Sequence, residues 1–250
     1  MIADFSAYAN VSPAVLAFCF VSITLGAAVQ RLAGQGFGLI STPLVALVAP
    51  QMLPSAILLL GLASGLGSSA LDFRDVVKSD LPWGFAGRFA GAVIAAQIAV
   101  MLPGFEEIAV LIAVIVLLAV GLNLSGLSVP ITRATLAIAG LTAGIMGTLT
   151  AIGAPPMALL YQTEEPGRSR ASQSTFFFFG MIVSISALAW KGLITPMHLK
   201  FALVTSPAIL LGLLVSQPLA RHFSKRMVRP IALWLSSLAA IILLAKAVFF

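Results

Sequence analysis

The chain has 250 residues, 60% of them hydrophobic and only 9% charged, where a soluble domain is about a quarter charged. Such a composition cannot cover a water-facing surface, which excludes an ordinary soluble globular domain. The net charge of +6 does not indicate nucleic acid, because the basic residues sit in connections between apolar segments with no basic patch around them, and the single cysteine, Cys19, excludes an internal disulfide or a multi-cysteine metal site.

The opening run MIADFSAYANVSP lacks the basic n-region of a cleavable signal peptide, so the first apolar segment is expected to belong to the mature protein. Windows of roughly 20 apolar residues then follow one another with short connections. They are Pro13 to Leu32, Leu53 to Leu71, Pro82 to Leu102, Phe105 to Leu124, Ile131 to Met146, Ala171 to Trp190, Leu199 to Pro218 and Ile231 to Phe249. Two apolar pieces, Phe37 to Val48 and Ile152 to Tyr161, are too short to span alone. The pattern predicts an all-α polytopic membrane protein, with residues 1–250 forming one integral membrane domain.

Both short pieces follow glycine-rich interruptions, LAGQGFGLISTP from Leu32 and GTLTAIGAPPM from Gly147. A shift of 113 places Gly34 on Gly147 and Pro43 on Pro156, and a shift of 120 places Gln97 on Gln217. Two repeats result, about 13–125 and about 131–249, each reading as a long segment, a glycine break, a short segment and three long segments. If each broken pair enters and leaves on one side, one face collects Arg74, Lys78, Arg133, Arg168, Arg170 and the basic cluster from Arg221 to Arg229, and the other only Lys191, Lys200 and Lys246. Cytoplasmic loops collect Lys and Arg. This parity puts both termini outside the cytoplasm and inverts the second repeat relative to the first. Phe37 to Val48 would rise only about 18 Å as helix, against a hydrocarbon core of about 30 Å, so hairpins or broken helices meeting near the midplane are expected.

Non-helical backbone at membrane depth is tolerated only where protein or a water-filled cavity satisfies it. A helix that starts inside the membrane presents unpaired N–H groups and a positive dipole end, which suits an anion. Glycines allow close approach, and hydroxyls and amides add donors. The candidate substrate contacts are therefore Gln35, Gly36, Gly38, Ser41 and Thr42 at the first break and Thr148, Thr150 and Gly153 at the second. Pro43, Pro155 and Pro156 fit a first helical turn, where no N–H partner is lost. The spacings Gly61/Gly65, Gly87/Gly91 and Gly140/Gly144 indicate helix packing instead, and GQGFG lacks the strand and acidic residue of a dinucleotide site.

Arg88 stands inside an apolar window and either snorkels to the interface or neutralises the substrate, or pairs with a carbonyl of a broken segment. Arg31, one turn before the first break, faces either the same cavity or the interface. Arg168 and Arg170 anchor the cytoplasmic face or recruit anions. Every carboxylate falls at a terminus, loop or helix end, so no carboxylate proton relay is expected. His198 and His222 are placed in loops and given no metal or catalytic role.

The segments GQGFGLISTPLVAL, GTLTAIGAPPMALL and SPAILLGLLVSQPLARHF resemble the sulfite exporter TauE/SafE family, also called the TSUP family, and the likeness runs over about residues 13–249. The resemblance implies a cell inner-membrane exporter of sulfite, sulfonates or related sulfur-containing organic anions, with seven or eight helices in two repeats. Ala151, Ala154 and Pro155 depart from the usual run of glycines in the second motif. The expected partners are a small anionic substrate and membrane lipid; no cofactor or metal is called for, and monomer and homo-oligomer stay open. A passive anion channel on the same repeat, or an intramembrane enzyme, are the alternative classes.

Overall fold

The computed structural model describes residues 11–33, 36–101, 104–125, 127, 129–222 and 225–249, and among these there is no β-strand. Helix α1 spans Pro13–Ala33, α2 Phe37–Val48, α3 Ser55–Asp72, α4 Leu81–Met101 and α5 Phe105–Leu124. Then come α6 (Arg133–Thr150), α7 (Pro155–Leu160), α8 (Pro166–Trp190), α9 (Pro196–Thr205), α10 (Pro207–His222) and α11 (Lys225–Phe249). Each apolar window overlaps a helix, Phe37–Val48 and Phe105–Leu124 coincide with helices end to end, and the window Leu199 to Pro218, expected as one segment, is divided between α9 and α10. Four stretches, Pro13–Ala33, Leu81–Met101, Pro166–Trp190 and Pro196–Pro218, are long and apolar enough to cross a membrane. Phe89, Leu214 and Trp234 are exposed on the outside of the bundle, a surface suited to lipid.

Local chemistry sets several helix ends. Thr132 and Thr135 cap α6 reciprocally, the Thr135 N–H donating to Thr132 Oγ1 at 3.1 Å and the Thr132 N–H to Thr135 Oγ1 at 2.8 Å. Pro155 and Pro156 open α7 as expected. Pro43 does not sit in a first turn: it is interior to α2 and leaves the Leu39 carbonyl without its helical N–H. Ser236 of α11 supplies the missing donor, its hydroxyl reaching Leu39 O at 2.7 Å. The histidines are not in loops either. His222 ends α10, while His198 lies in the first turn of α9, where its Nδ1 accepts the Thr195 N–H at 3.0 Å.

Helices from the two ends of the chain interleave. α4 packs on α6 and α10 on α1; α2 packs on α11 and α7 on α5; α3 packs on α8, and α5 on α11. The α4–α6 crossing runs parallel and brings backbones together: a Cβ on Gly87 would overlap the Ala137 carbonyl, and one on Gly144 would meet the Arg88 carbonyl at 2.6 Å. Gly61 and Gly65 make room instead for the Met181 and Phe177 side chains of α8. The glycine pairs expected to serve packing do so. α3 and α8 run antiparallel, with Ser55 Oγ donating to Leu193 O at 3.0 Å near one end and Ser69 and Thr175 hydroxyls 3.2 Å apart toward the other.

Candidate functional site

Gly36 has φ +122°, a conformation that favours glycine, and it turns the chain from α1 into α2. The first amide of α2, at Phe37, donates to Gln30 Oε1 at 3.3 Å. At the second break α6 ends on Ala151 in the left-handed region, φ 61°, with its N–H on Gly147 O at 2.9 Å. Thr150 stabilises that turn, its hydroxyl donating to Met146 O at 2.8 Å and accepting the Ile152 N–H at 3.3 Å. The two breaks touch. A Cβ on Gly38 would overlap the Ala151 carbonyl oxygen, while the Phe37 ring meets Phe177 of α8 edge to face at 6.4 Å.

Arg88 lies beside this junction and does not snorkel: it is only 4% exposed. Its Nη2 donates to Gly180 O at 3.1 Å and to Ser184 Oγ at 3.0 Å. The Ser184 hydroxyl is in turn 2.7 Å from Thr148 Oγ1, so α4, α6 and α8 share one polar cluster. The carbonyl Arg88 uses therefore belongs to α8, not to a broken segment. Glycines surround the guanidinium. A Cβ on Gly147 or Gly180 would collide with it, and one on Gly153 would lie 2.7 Å from Nη1. Nε and Nη1 are buried with no hydrogen-bond partner, and among the described residues no carboxylate pairs with Arg88. A buried cation without an anion beside it is costly.

The space beside it is a cavity of about 20 Å³ bordered by Arg88, Gly153, Met157, Gln173, Phe177 and Met181, room for one water. A wider groove of about 1040 Å³ opens past it, bordered by Leu32 and Ala33 of α1, Glu164, Ser169 and Arg170, and Trp234 of α11. Gln173 borders both spaces. Its Nε2 donates to Ser169 Oγ at 2.8 Å, while Oε1 is buried with no partner.

Of the residues expected to bind substrate, Arg88, Thr148 and Gly153 come together here, and Gly38 abuts the second break. Ser41 is occupied with packing, its hydroxyl donating to Ser22 O at 3.3 Å above Gly26. Thr42 Oγ1 is buried with no partner. Gln35 lies outside the described residues. Arg31 is in a separate cluster: its Nη1 meets Asp72 Oδ2 at 2.8 Å, and Arg170 grips the same carboxylate through Nε at 2.9 Å and Nη2 at 3.1 Å. Asp72 lies just beyond the apolar stretch of α3, which ends at Ala70. Burial raises its pKa, but the two arginines outweigh that and hold it below the usual carboxylate value. Arg168 pairs only loosely with Glu165, at 4.0 Å on the exposed surface.

Gly147, Gly180, Ser184 and Gln173 were not anticipated from sequence. A signal existed for three of them, since ASQST (171–175) and GMIVSIS (180–186) put polar and small residues inside an otherwise apolar helix. A model of the family described as Sulfite exporter TauE/SafE matches residues 18–243. Comparison with curated proteins and with solved structures gives no match.

Proposed function

The chain belongs to the sulfite exporter TauE/SafE family of membrane transporters, and on that premise we propose that it is a secondary exporter of small sulfur-containing anions such as sulfite and sulfonates. Transport proceeds by alternating access around a central site where two broken segments meet. Arg88 supplies the counter-charge, held by Gly180 and Ser184, and Thr148 orients Ser184. Gly147, Gly153 and Gly180 keep the guanidinium open to a ligand. The observation that carries this assignment is a buried guanidinium with two unpartnered nitrogens, on a residue that borders a cavity whose lining contains no carboxylate. The cavity holds one water, so an oxyanion enters only when Gln173 and Met157 draw back.

The reading of the chain as two inverted repeats, about 13–125 and about 131–249, is supported by the reciprocal packing of α4 with α6 and α1 with α10. The antiparallel course of α3 and α8, the third helix of each repeat, supports it further. The clustering of basic residues on one face supports termini outside the cytoplasm, in the inner membrane. The buried carboxylate among the described residues, Asp72, is held ionised between two arginines, which favours transport driven by the substrate's own gradient over a carboxylate proton relay.

Flux of labelled sulfite and methanesulfonate in proteoliposomes, compared with protein-free liposomes, tests the assignment. Saturable flux with exchange stimulation is expected; flux equal with and without protein would end the case for these substrates, and single-channel conductance would replace the carrier with a pore.

A further inference from the structure

The charge and hydrogen-bonding inventory of the Arg88 cavity restricts the protonation state of the anion it accepts. We propose that this site selects singly charged oxyanions, hydrogen sulfite over the sulfite dianion, and that Gln173 is the residue that recognises the ligand's hydroxyl where the ligand carries one. The proposal rests on Arg88 being the substrate's counter-charge, as assigned above.

Charge is counted from each element packed around Arg88. From α6 come Gly147 and Thr148, from α8 Gln173, Gly180 and Ser184, and from α7 Met157; none is ionisable. The charged groups on these same elements are engaged elsewhere. Arg133 lies over the Trp83 ring at 5.3 Å, Arg170 is bound to Asp72, and Arg168 faces Glu165. Tyr161, after α7, donates to Asp80 at 2.6 Å, and Glu164 borders the outer groove. One positive charge therefore faces the ligand. A monoanion neutralises it, whereas a dianion would leave one negative charge desolvated with no partner.

Hydrogen bonding narrows the choice further. A guanidinium is donor-only, and Nε and Nη1 of Arg88 are free to donate. Gln173 Oε1 is an acceptor, also buried and also free, while its amide nitrogen is committed to Ser169. A sulfite dianion accepts from arginine and leaves Gln173 Oε1 unsatisfied. Hydrogen sulfite has acceptor oxygens for Arg88 and an O–H for Gln173, so it satisfies both. Gln173 also borders the open groove, so on this proposal a ligand arriving through that groove meets it first.

The test is binding to the full chain in detergent, by ligand-induced thermal shift or calorimetry, with three probes: sulfite, methanesulfonate and sulfate. Sulfite passes from monoanion to dianion near neutral pH; methanesulfonate is a monoanion and sulfate a dianion throughout. Sulfite is expected to bind about tenfold or more tightly in mildly acidic than in mildly alkaline buffer, while methanesulfonate changes by less than about twofold and sulfate does not bind. Gln173→Leu is expected to weaken acidic sulfite about tenfold and leave methanesulfonate within about twofold; Gln173→Asn serves as a second variant if the first does not fold. Equal sulfite binding in both buffers, tight sulfate binding, or a parallel loss of methanesulfonate on alkalinisation each overturns the proposal. Failure of every probe to bind in either buffer, or undiminished binding to Arg88→Gln, overturns instead the assignment of Arg88 as counter-charge.

Discussion

Gly38→Ala adds one methyl group at the point where the two broken segments touch. Its Cβ would overlap the Ala151 carbonyl oxygen, with Ala151 C and Ile152 Cα immediately behind. All three are backbone atoms, and Ala151 is held by its bond to Gly147 O at 2.9 Å, so no side chain can rotate away. Overpacking costs about 1–3 kcal/mol, and a clash against fixed backbone belongs at about 3 kcal/mol. For a chain of this size each kcal/mol moves the midpoint by about 2–4 °C, so a fall of about 6–12 °C in Tm is expected by differential scanning fluorimetry in detergent. Gly121→Ala on α5 is the control, since nothing lies within 4 Å of its added Cβ. Removing a helical glycine there gains about 0.5–1 kcal/mol, and Tm should rise slightly. Equal Tm for the two variants would refute the contact between the breaks.

Asp72→Asn removes the shared partner of Arg31 and Arg170 and should cost about 1–2 kcal/mol at neutral pH, given the partial exposure of both arginines. Because the folded pKa of Asp72 lies below its unfolded value, its contribution is fully present above about pH 4 and is lost as pH falls through the folded pKa. The Tm gap between wild type and variant should therefore narrow on acidification; a gap constant with pH would contradict the ion-pair account. Thr42→Val replaces a buried hydroxyl that has no partner with an isosteric methyl and should raise stability by about 1 kcal/mol, measured by thermal unfolding. A loss of stability would show that the hydroxyl is bonded in solution.

Much of the fold was legible because lipid imposes length and hydropathy on each segment. Phe37–Val48 and Phe105–Leu124 emerged with their observed boundaries, and the glycine pairs of α3, α4 and α6 lie at helix contacts. Helix interiors containing proline were harder. Pro43 invited placement in a first turn, because the hydroxyl that compensates it, Ser236, lies 193 residues further along the chain. His198 looked like a loop residue because its role is to cap α9 through a side chain, which hydropathy does not register. At the site, Arg88 stood out as a charge inside an apolar window. Its surroundings did not, since Gly147 and Gly180 converge on one guanidinium from separate helices. Sequence left Arg31 between the cavity of the first break and the interface, because its partner Asp72 is distant in sequence and close only in the fold.

The central claim is that Arg88 is the counter-charge of the transported anion. It is tested most directly by thermal shift of wild type and Arg88→Gln with sulfite in mildly acidic buffer. At about 100 times Kd the ligand should stabilise wild type by about 2.7 kcal/mol, or about 5–10 °C, and leave a folded Arg88→Gln protein unshifted. The same shift in both proteins would contradict the account.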